Sequence, residues 1–383
     1  MLPFEFASAG RIVFGRGVAD QLGGLVAPWG RRVLLVHGAS AARTAPHVDR
    51  LRAAGCGVAT LAVAGEPTVE QVRAGVAQAR AEACEVVVSV GGGSALDAGK
   101  AIAMLLGNGG DPLDYLEVVG RGHPIERPSA PFIAVPTTAG PGAEVTRNAV
   151  LRSVSHGVKA SLRSPHMLPR VALVDPLLTV DLPPAVTAAT GLDALAQLIE
   201  PFLSHRANPL TDALCREGIP RSARSLVRAC ENGGDLDARE DLALASLFGG
   251  MALANAGLGA VHGFAAVLGG RYDAPHGALC AALLPGVLTA NRRALAARVP
   301  QSPALARFAD LGGLLCGDPS PDAAARWAAG LCARLDVARL SAYGVTREHL
   351  PDLITASRAA SSMKGNPITL TDDELLEILD GAL

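Results

Sequence analysis

VVVSVGGGSALDAGKAIAML, residues 86–105, decides how the first half of this chain folds. Four of its first five residues are valine, the composition of a buried strand, and the run stops at three consecutive glycines. From Ser94 the pattern becomes helical, with Asp97 and Lys100 inside the first turns. A strand that ends in glycines and passes directly into a helix is a βα unit. Its glycines let the backbone approach a ligand closely, and the free N–H groups at the helix start attract a phosphate. The spacing is not G-x-G-x-x-G, so the ordinary dinucleotide fingerprint does not apply. A purely structural turn would look the same, and the motif alone leaves both readings open.

Working outward, RVLLVHGAS (32–40) reads as a strand and turn followed by a helix to about Ala54. VATLAV (58–63) is a second strand, and VEQVRAGVAQARAEA a helix after it. PFIAVP (131–136) and RVALVD (170–175) complete the strand set. Strands alternating with helices of this length imply a mostly parallel sheet. After Asp175-Pro176 the texture changes, and from about Pro183 only helical patterns broken by Gly and Pro remain. The expected architecture is an α/β domain over 1–178 and an all-helical domain over 179–383. A cleft between two such domains is the default place for a cofactor and substrate.

A chain of 383 residues with 49% hydrophobic and 18% charged residues buries a large core and suits two domains. Its net charge of -2 and 3% aromatic content exclude a nucleic-acid footprint. Seven scattered cysteines without a C-x-x-C pair argue for free thiols in a reducing cytoplasm. The opening MLPFEFASAGRIVFG has no cationic stretch before an apolar run, so it reads as no secretion signal. Leu242 to Gly270 carries no Asp, Glu, Lys or Arg and is long enough to span a bilayer. Its glycines, Asn255 and His262 favour buried helices instead, and no membrane association is expected.

Two further stretches carry chemistry. AVPTTAGPGAEVTRNAV (134–150) sets Thr137, Thr138, Thr146, Gly140 and Gly142 beyond the end of a strand, the edge at which ligands bind in open α/β sheets. GLDALAQLIEPF (191–202) places Asp193 and Gln197 one turn apart on an otherwise apolar helix, where a carboxylate is expensive unless something binds it. His262 and His276 lie in two other apolar segments. A lone histidine there is usually a satisfied core residue. Two of them with an aspartate suit a divalent first-row cation.

These motifs together, GGGSALDAGK, PTTAGPGAEVT, VALVDPLLT, GLDALAQ, AVHGFAAVLGG and YDAPHGALCAALLP, resemble in content and order the iron-containing (group III) alcohol dehydrogenase family. FEFASAGRIVFG and SSMKGNP bring the chain closest to its maleylacetate-reductase-like branch. The resemblance spans nearly the whole chain. It implies a dehydroquinate-synthase-like fold, an α/β dinucleotide-binding domain followed by an all-α metal domain, usually as a dimer. Carried over by position, it puts the cofactor pyrophosphate on Gly92, Gly93 and Ser94 with Asp97 nearby. Thr137, Thr138, Thr146 and Lys159 line the rest of the cofactor site, and Asp193, His262 and His276 hold the metal.

The chain departs from the family pattern in several places. Gln197 stands where the iron enzymes have a fourth ligand histidine, so either Gln197 coordinates or Fe²⁺ affinity falls, and Zn²⁺ becomes an alternative. Ala266 replaces a histidine linked to proton relay, and Pro141 and Ala143 replace two hydroxyls of a TGSE-like tetrad. Gly38 occupies the position of the acid that holds the ribose in NAD-specific relatives. With Ser40 and Arg43 beside it, this tilts the expectation from NAD to NADP. The leading expectation is a metal-dependent reductase of a small aldehyde, ketone or oxoacid. Arg152, Lys159 and Arg163 are candidates to meet an anionic substrate. A lyase or cyclase reaction without net oxidation, in the manner of dehydroquinate synthase, is the alternative, and a non-catalytic member that has lost its metal is a third reading.

Overall fold

The structure is a computed structural model and describes residues 3–383, so Met1 and Leu2 of the N-terminal segment lie outside it. The chain divides into two units. One comprises residues 7–138 and 142–181; the other comprises 3–6, 139–141 and 182–383.

The first unit is built on a six-stranded, all-parallel sheet in the order β1-β8-β5-β4-β2-β3. Its strands are β1 (Ile12–Phe14), β2 (Arg32–His37), β3 (Gly57–Ala62), β4 (Val86–Gly91), β5 (Phe132–Pro136) and β8 (Val171–Val174). β6 (Asn148–Ser153) and β7 (Val158–Arg163) form a separate antiparallel hairpin. Every residue of β4 is buried, as a central parallel strand covered on both faces requires, and this explains its continuous valine run. The helices are α1 (Leu22–Val26), α2 (Ala41–Ala53), α3 (Val69–Ala81), α4 (Gly93–Asn108) and α5 (Pro112–Tyr115). α3 starts at a capping box between Thr68 and Gln71, and α2 at a Ser40 cap.

Five of these strands fall where the sequence places them. β1 and the β6–β7 hairpin are additional. β1 is only three residues long at the sheet edge. The hairpin interleaves Asn148, Arg152, Lys159 and Arg163 with its apolar residues, so its alternation reads as polar loop until the pairing is seen.

The division after residue 181 lies slightly later than the 178 read from the sequence. Asp175 explains the shift: its carboxylate accepts from Leu177 N at 3.0 Å, Gly17 N at 3.1 Å and Ala19 N at 3.0 Å. These bonds tie the 3-10 turn Pro176–Thr179 back to the α/β unit.

The chain runs from β2 outward to β3 and then returns to place β4 on the other side of β2. The carboxyl ends of β2 and β4 therefore flank a topological switch point, where open sheets bind ligands.

The second unit is all-helical: α6 (Pro184–Leu203), α7 (Pro209–Glu231), α8 (Leu236–Ala256), α9 (Ala260–Arg271), α10 (His276–Arg298), α11 (Ala304–Cys316), α12 (Ala323–Arg334), α13 (Leu350–Ala359) and α14 (Asp372–Ala382). α6 is its central helix, buried at every residue from Gly191 to Leu203. Among the described residues no single helix is long and apolar enough to cross a membrane. The charge-free run Leu242–Gly270 is divided between α8 and α9, which bend by 101° at their junction.

Candidate metal centre and nucleotide-binding turn

In the α/β unit the two glycine-bearing strand ends lie side by side. A Cβ on Gly91 would stand 2.6 Å from Ala95 Cβ and 3.3 Å from Gly38 N, so only glycine lets the turn after β4 approach the turn after β2. Gly92 caps α4 without any side chain occupying the first-turn N–H groups, which leaves them directed at whatever binds there. Thr137 N donates to Gly91 O at 2.9 Å, and Thr138 lies 3.3 Å from the position of a Gly92 Cβ. Gly38, Gly92, Gly93, Ser94, Thr137 and Thr138 are thus brought to one sheet edge. A Cβ on Gly38 meets nothing within 4 Å. Ser40 lies beyond it as the cap of α2, accepting from Arg43 N at 3.4 Å.

Asp97, Thr146 and Lys159 have other engagements. The Lys100 ammonium, fully buried, donates to Thr146 Oγ1 at 2.9 Å and Asn148 O at 2.5 Å, and Asp97 Oδ1 lies 3.3 Å away. Asp97 Oδ2 also accepts from Val150 N at 3.0 Å. These groups fasten α4 to the start of the hairpin. Burial raises the Asp97 carboxyl and lowers Lys100, and each partly offsets the other's shift. Neighbouring Glu144 is raised by burial to about 7. Lys159 pairs with Glu66 at 3.1 Å and Arg163 with Glu117 at 3.6 Å.

In the helical unit, three helices bring the predicted ligands together. Asp193 comes from the buried middle of α6, His262 from the first turn of α9 and His276 from the first residue of α10. Gly277 permits this: a Cβ there would fall 1.7 Å from Ala189 O, so the start of α10 rests directly on the α6 backbone. Asp193 Oδ1 is 3.2 Å from His262 Nε2 and 3.8 Å from His276 Nε2.

Two residues that the sequence reading passed over complete the arrangement. Cys280, one turn after His276 on α10, is buried and joins Asp193, His262 and His276 in a group whose donor atoms all lie within 4.8 Å of one another. Glu200, two turns after Asp193 on α6, holds His262 from behind. Its Oε2 lies 2.7 Å from His262 Nδ1, and its Oε1 accepts from Val261 N at 2.7 Å, so it also caps α9. Glu200 on Nδ1 fixes the ring so that Nε2 is directed into the cluster. The spacings His276–Cys280 and Asp193–Glu200 are one and two helical turns, a signal present in the sequence but readable only once both helices are known to face one point.

The electrostatics match a cation site. Burial opposes ionisation of Asp193, but His262 and His276 outweigh it and hold the carboxyl below its ordinary range. Burial likewise opposes charge on His262, which Cys280, Asp193 and Glu200 hold well above the usual imidazole range. Gln197 is buried beside Asp193, and its Oε1 has no hydrogen-bond partner. A buried acceptor left unpaired costs about 1–3 kcal/mol. A carboxylate, two imidazoles and a thiol whose donor atoms lie within 4.8 Å of one another fit a divalent first-row metal.

Comparison with known proteins agrees with this geometry. Residues 9–176 match the family profile described as iron-containing alcohol dehydrogenase. Residues 187–383 match that of the Fe-containing alcohol dehydrogenase family, C-terminal. A 1,3-propanediol dehydrogenase of Klebsiella pneumoniae is 45% identical over 63% of this chain and 62% of that protein. A probable alcohol dehydrogenase EutG of Salmonella typhimurium is 37% identical over 83% of this chain and 78% of that protein. The crystal structure of a 1,3-propanediol oxidoreductase superposes with a TM-score of 0.91 at 34% identity, covering 100% of both chains. None of these three is named a maleylacetate reductase.

Proposed function

The chain belongs to the iron-containing alcohol dehydrogenase family, and from that premise we propose that it is a metal-dependent, nicotinamide-linked oxidoreductase interconverting a small aldehyde or ketone and its alcohol. The observation that supports this most is the convergence of Asp193, His262 and His276 on one point. Asp193, His262 and His276 would hold one divalent ion, Fe²⁺ or Zn²⁺. Bound there, it would polarise a carbonyl oxygen and lower the pKa of an alcohol.

The rest of the task falls to the chain. Glu200 Oε2 holds His262 through Nδ1, so a bound metal would meet Nε2. Gly92, Gly93 and Ser94, with the uncapped first turn of α4, receive the cofactor pyrophosphate, and Thr137 and Thr138 border it. Gly38 brings no carboxylate to the adenosine ribose and leaves open space, so a 2′-phosphate meets no repulsion and Ser40 and Arg43 lie close by. This favours NADPH over NADH. Position 266 is an exposed alanine, so the product oxygen takes its proton from water rather than from a side chain there. Lys159 and Arg163 are held by glutamates of their own unit, which places an uncharged aldehyde or ketone ahead of an oxoacid as substrate.

The test is cofactor consumption by metal-loaded protein across a panel of small aldehydes and ketones. Stoichiometric NADPH oxidation with alcohol formation is expected. Product formation without net cofactor oxidation would overturn the reductase reading and favour a lyase or cyclase. Gly38→Asp should shift preference from NADPH toward NADH, seen in the ratio of kcat/KM values. An unchanged ratio would refute the role given to Gly38.

A further inference from the structure

Cys280 does not behave like the other cysteines whose contacts are defined. Cys316 donates to the carbonyl of Gly312 one turn back at 3.3 Å, and Cys332 to Ala281 O at 3.3 Å, the ordinary ways in which a helical thiol is satisfied. Cys280 instead turns toward the cluster. Its Sγ lies 3.9 Å from Asp193 Oδ1, 3.8 Å from His262 Nε2 and 3.7 Å from His276 Nε2. All three contacts sit near the outer limit of a hydrogen bond to sulfur, so none satisfies the thiol well, and all three partners are ligand atoms.

We propose that Cys280 is the fourth protein ligand of the metal, its thiolate completing an Asp193–His262–His276–Cys280 donor set. This rests on the metal-site reading above. Ligand distances of about 2.0–2.1 Å for nitrogen and oxygen and about 2.3 Å for sulfur place the donors of a tetrahedral zinc site roughly 3.4–3.6 Å apart. The separations between Cys280 and its three partners, 3.7 to 3.9 Å, and between Asp193 and the two histidines, 3.2 and 3.8 Å, lie within a few tenths of an ångström of that.

The neighbouring residue supports the choice of donor. Gln197, one turn after Asp193, offers only an amide oxygen, a weaker donor than a thiolate for a borderline-soft ion. His276 and Cys280 sit at i and i+4 on α10, so one helical face delivers two donors together. A thiolate makes the set softer and selects Zn²⁺ over Fe²⁺. Binding displaces the Cys280 S–H proton to solvent and forms one metal–sulfur bond, with no change of oxidation state. Zinc sites can expand to five-coordination, so four protein donors leave the ion able to engage a substrate.

Cobalt(II) titration of the full-length metal-free protein is the test. The wild type should bind one equivalent with an intense thiolate-to-cobalt charge-transfer band in the near ultraviolet and visible bands of a tetrahedral ion. Cys280→Ser should still bind cobalt but lose the charge-transfer band. Its zinc affinity, measured by chelator competition, should fall by more than the roughly 10- to 100-fold that loss of an outer hydrogen-bond partner costs. The Cys280→Ala variant should behave alike, and Gln197→Ala should keep the band. Cobalt bound by the wild type without a thiolate band overturns the assignment of Cys280 while leaving the metal site intact. A band that survives in Cys280→Ser does the same. A wild type that binds no cobalt overturns both this inference and the metal-site reading.

Discussion

Two buried polar clusters, one in each unit, differ in a way that separates structure from function. Around Lys100 every donor has an acceptor: Thr146 Oγ1, Asn148 O and Asp97 surround the ammonium, and Val150 N satisfies the far oxygen of Asp97. Around Asp193 the network is left open. His262 Nε2 lies 3.2 Å from the carboxylate, but the Cys280 contacts are long and Gln197 Oε1 has no partner. A closed network secures the fold, whereas an open one is preorganised for something that arrives later.

Four variants break or sharpen this contrast. The largest expected effect is on turnover: Asp193→Asn should lower kcat/KM of the metal-loaded enzyme by about a thousandfold or more, several kcal/mol of transition-state stabilisation. It should also disturb the stability of metal-free protein less than any break in the Lys100 cluster does. In that cluster, Lys100→Met strands Asp97 and should cost about 3–5 kcal/mol in urea unfolding. Equal stability losses for the two variants would erase the distinction.

Next is a pH effect. Glu144, raised to about 7 in the fold, holds a proton there that the unfolded chain releases near its ordinary carboxyl range. Its contribution to stability is therefore present at low pH and lost as pH rises through about 7. Comparing unfolding free energies at acid and mildly alkaline pH, Glu144→Gln should remove a decline of about 3 kcal/mol. A slope identical to wild type would contradict this. The smallest effect belongs to Glu200→Gln. It should weaken metal binding roughly 10- to 100-fold by chelator competition, because His262 loses its anionic support.

How much of this was legible in the sequence depends on distance along the chain. The strand-to-glycine unit at 86–105, the strands at β2, β3, β5 and β8 and the helical second half were readable because their signals are periodic and local. The β6–β7 hairpin was not, since its residues alternate only weakly and its pairing is with itself. Asp193, His262 and His276 were legible as chemically costly residues on apolar helices. Cys280 and Glu200 were not. A buried cysteine is ordinarily core, and an acid on a mostly apolar helix gives no hint of which histidine it supports. Thr146 and Asp97 look from the sequence like cofactor contacts, yet the fold engages both with Lys100. Lys100 is a residue whose burial no local pattern announces.

The sequence by itself determined five of the six strands of the main sheet, the helical character of the second unit, the βα turn and the three most conspicuous metal-ligand candidates. Periodicity and turn chemistry act over a few residues, and no tertiary context was needed to read them. The tertiary structure alone decided which side chains share a point in space. Gly277 sets α10 against α6, Glu200 reaches from α6 to the start of α9, and Cys280 comes to lie among Asp193, His262 and His276. The Glu200–His262 and Asp193–Cys280 encounters join residues 62 and 87 positions apart. They are fixed by helix packing, which depends on the whole core and leaves no signature in any short stretch of the chain.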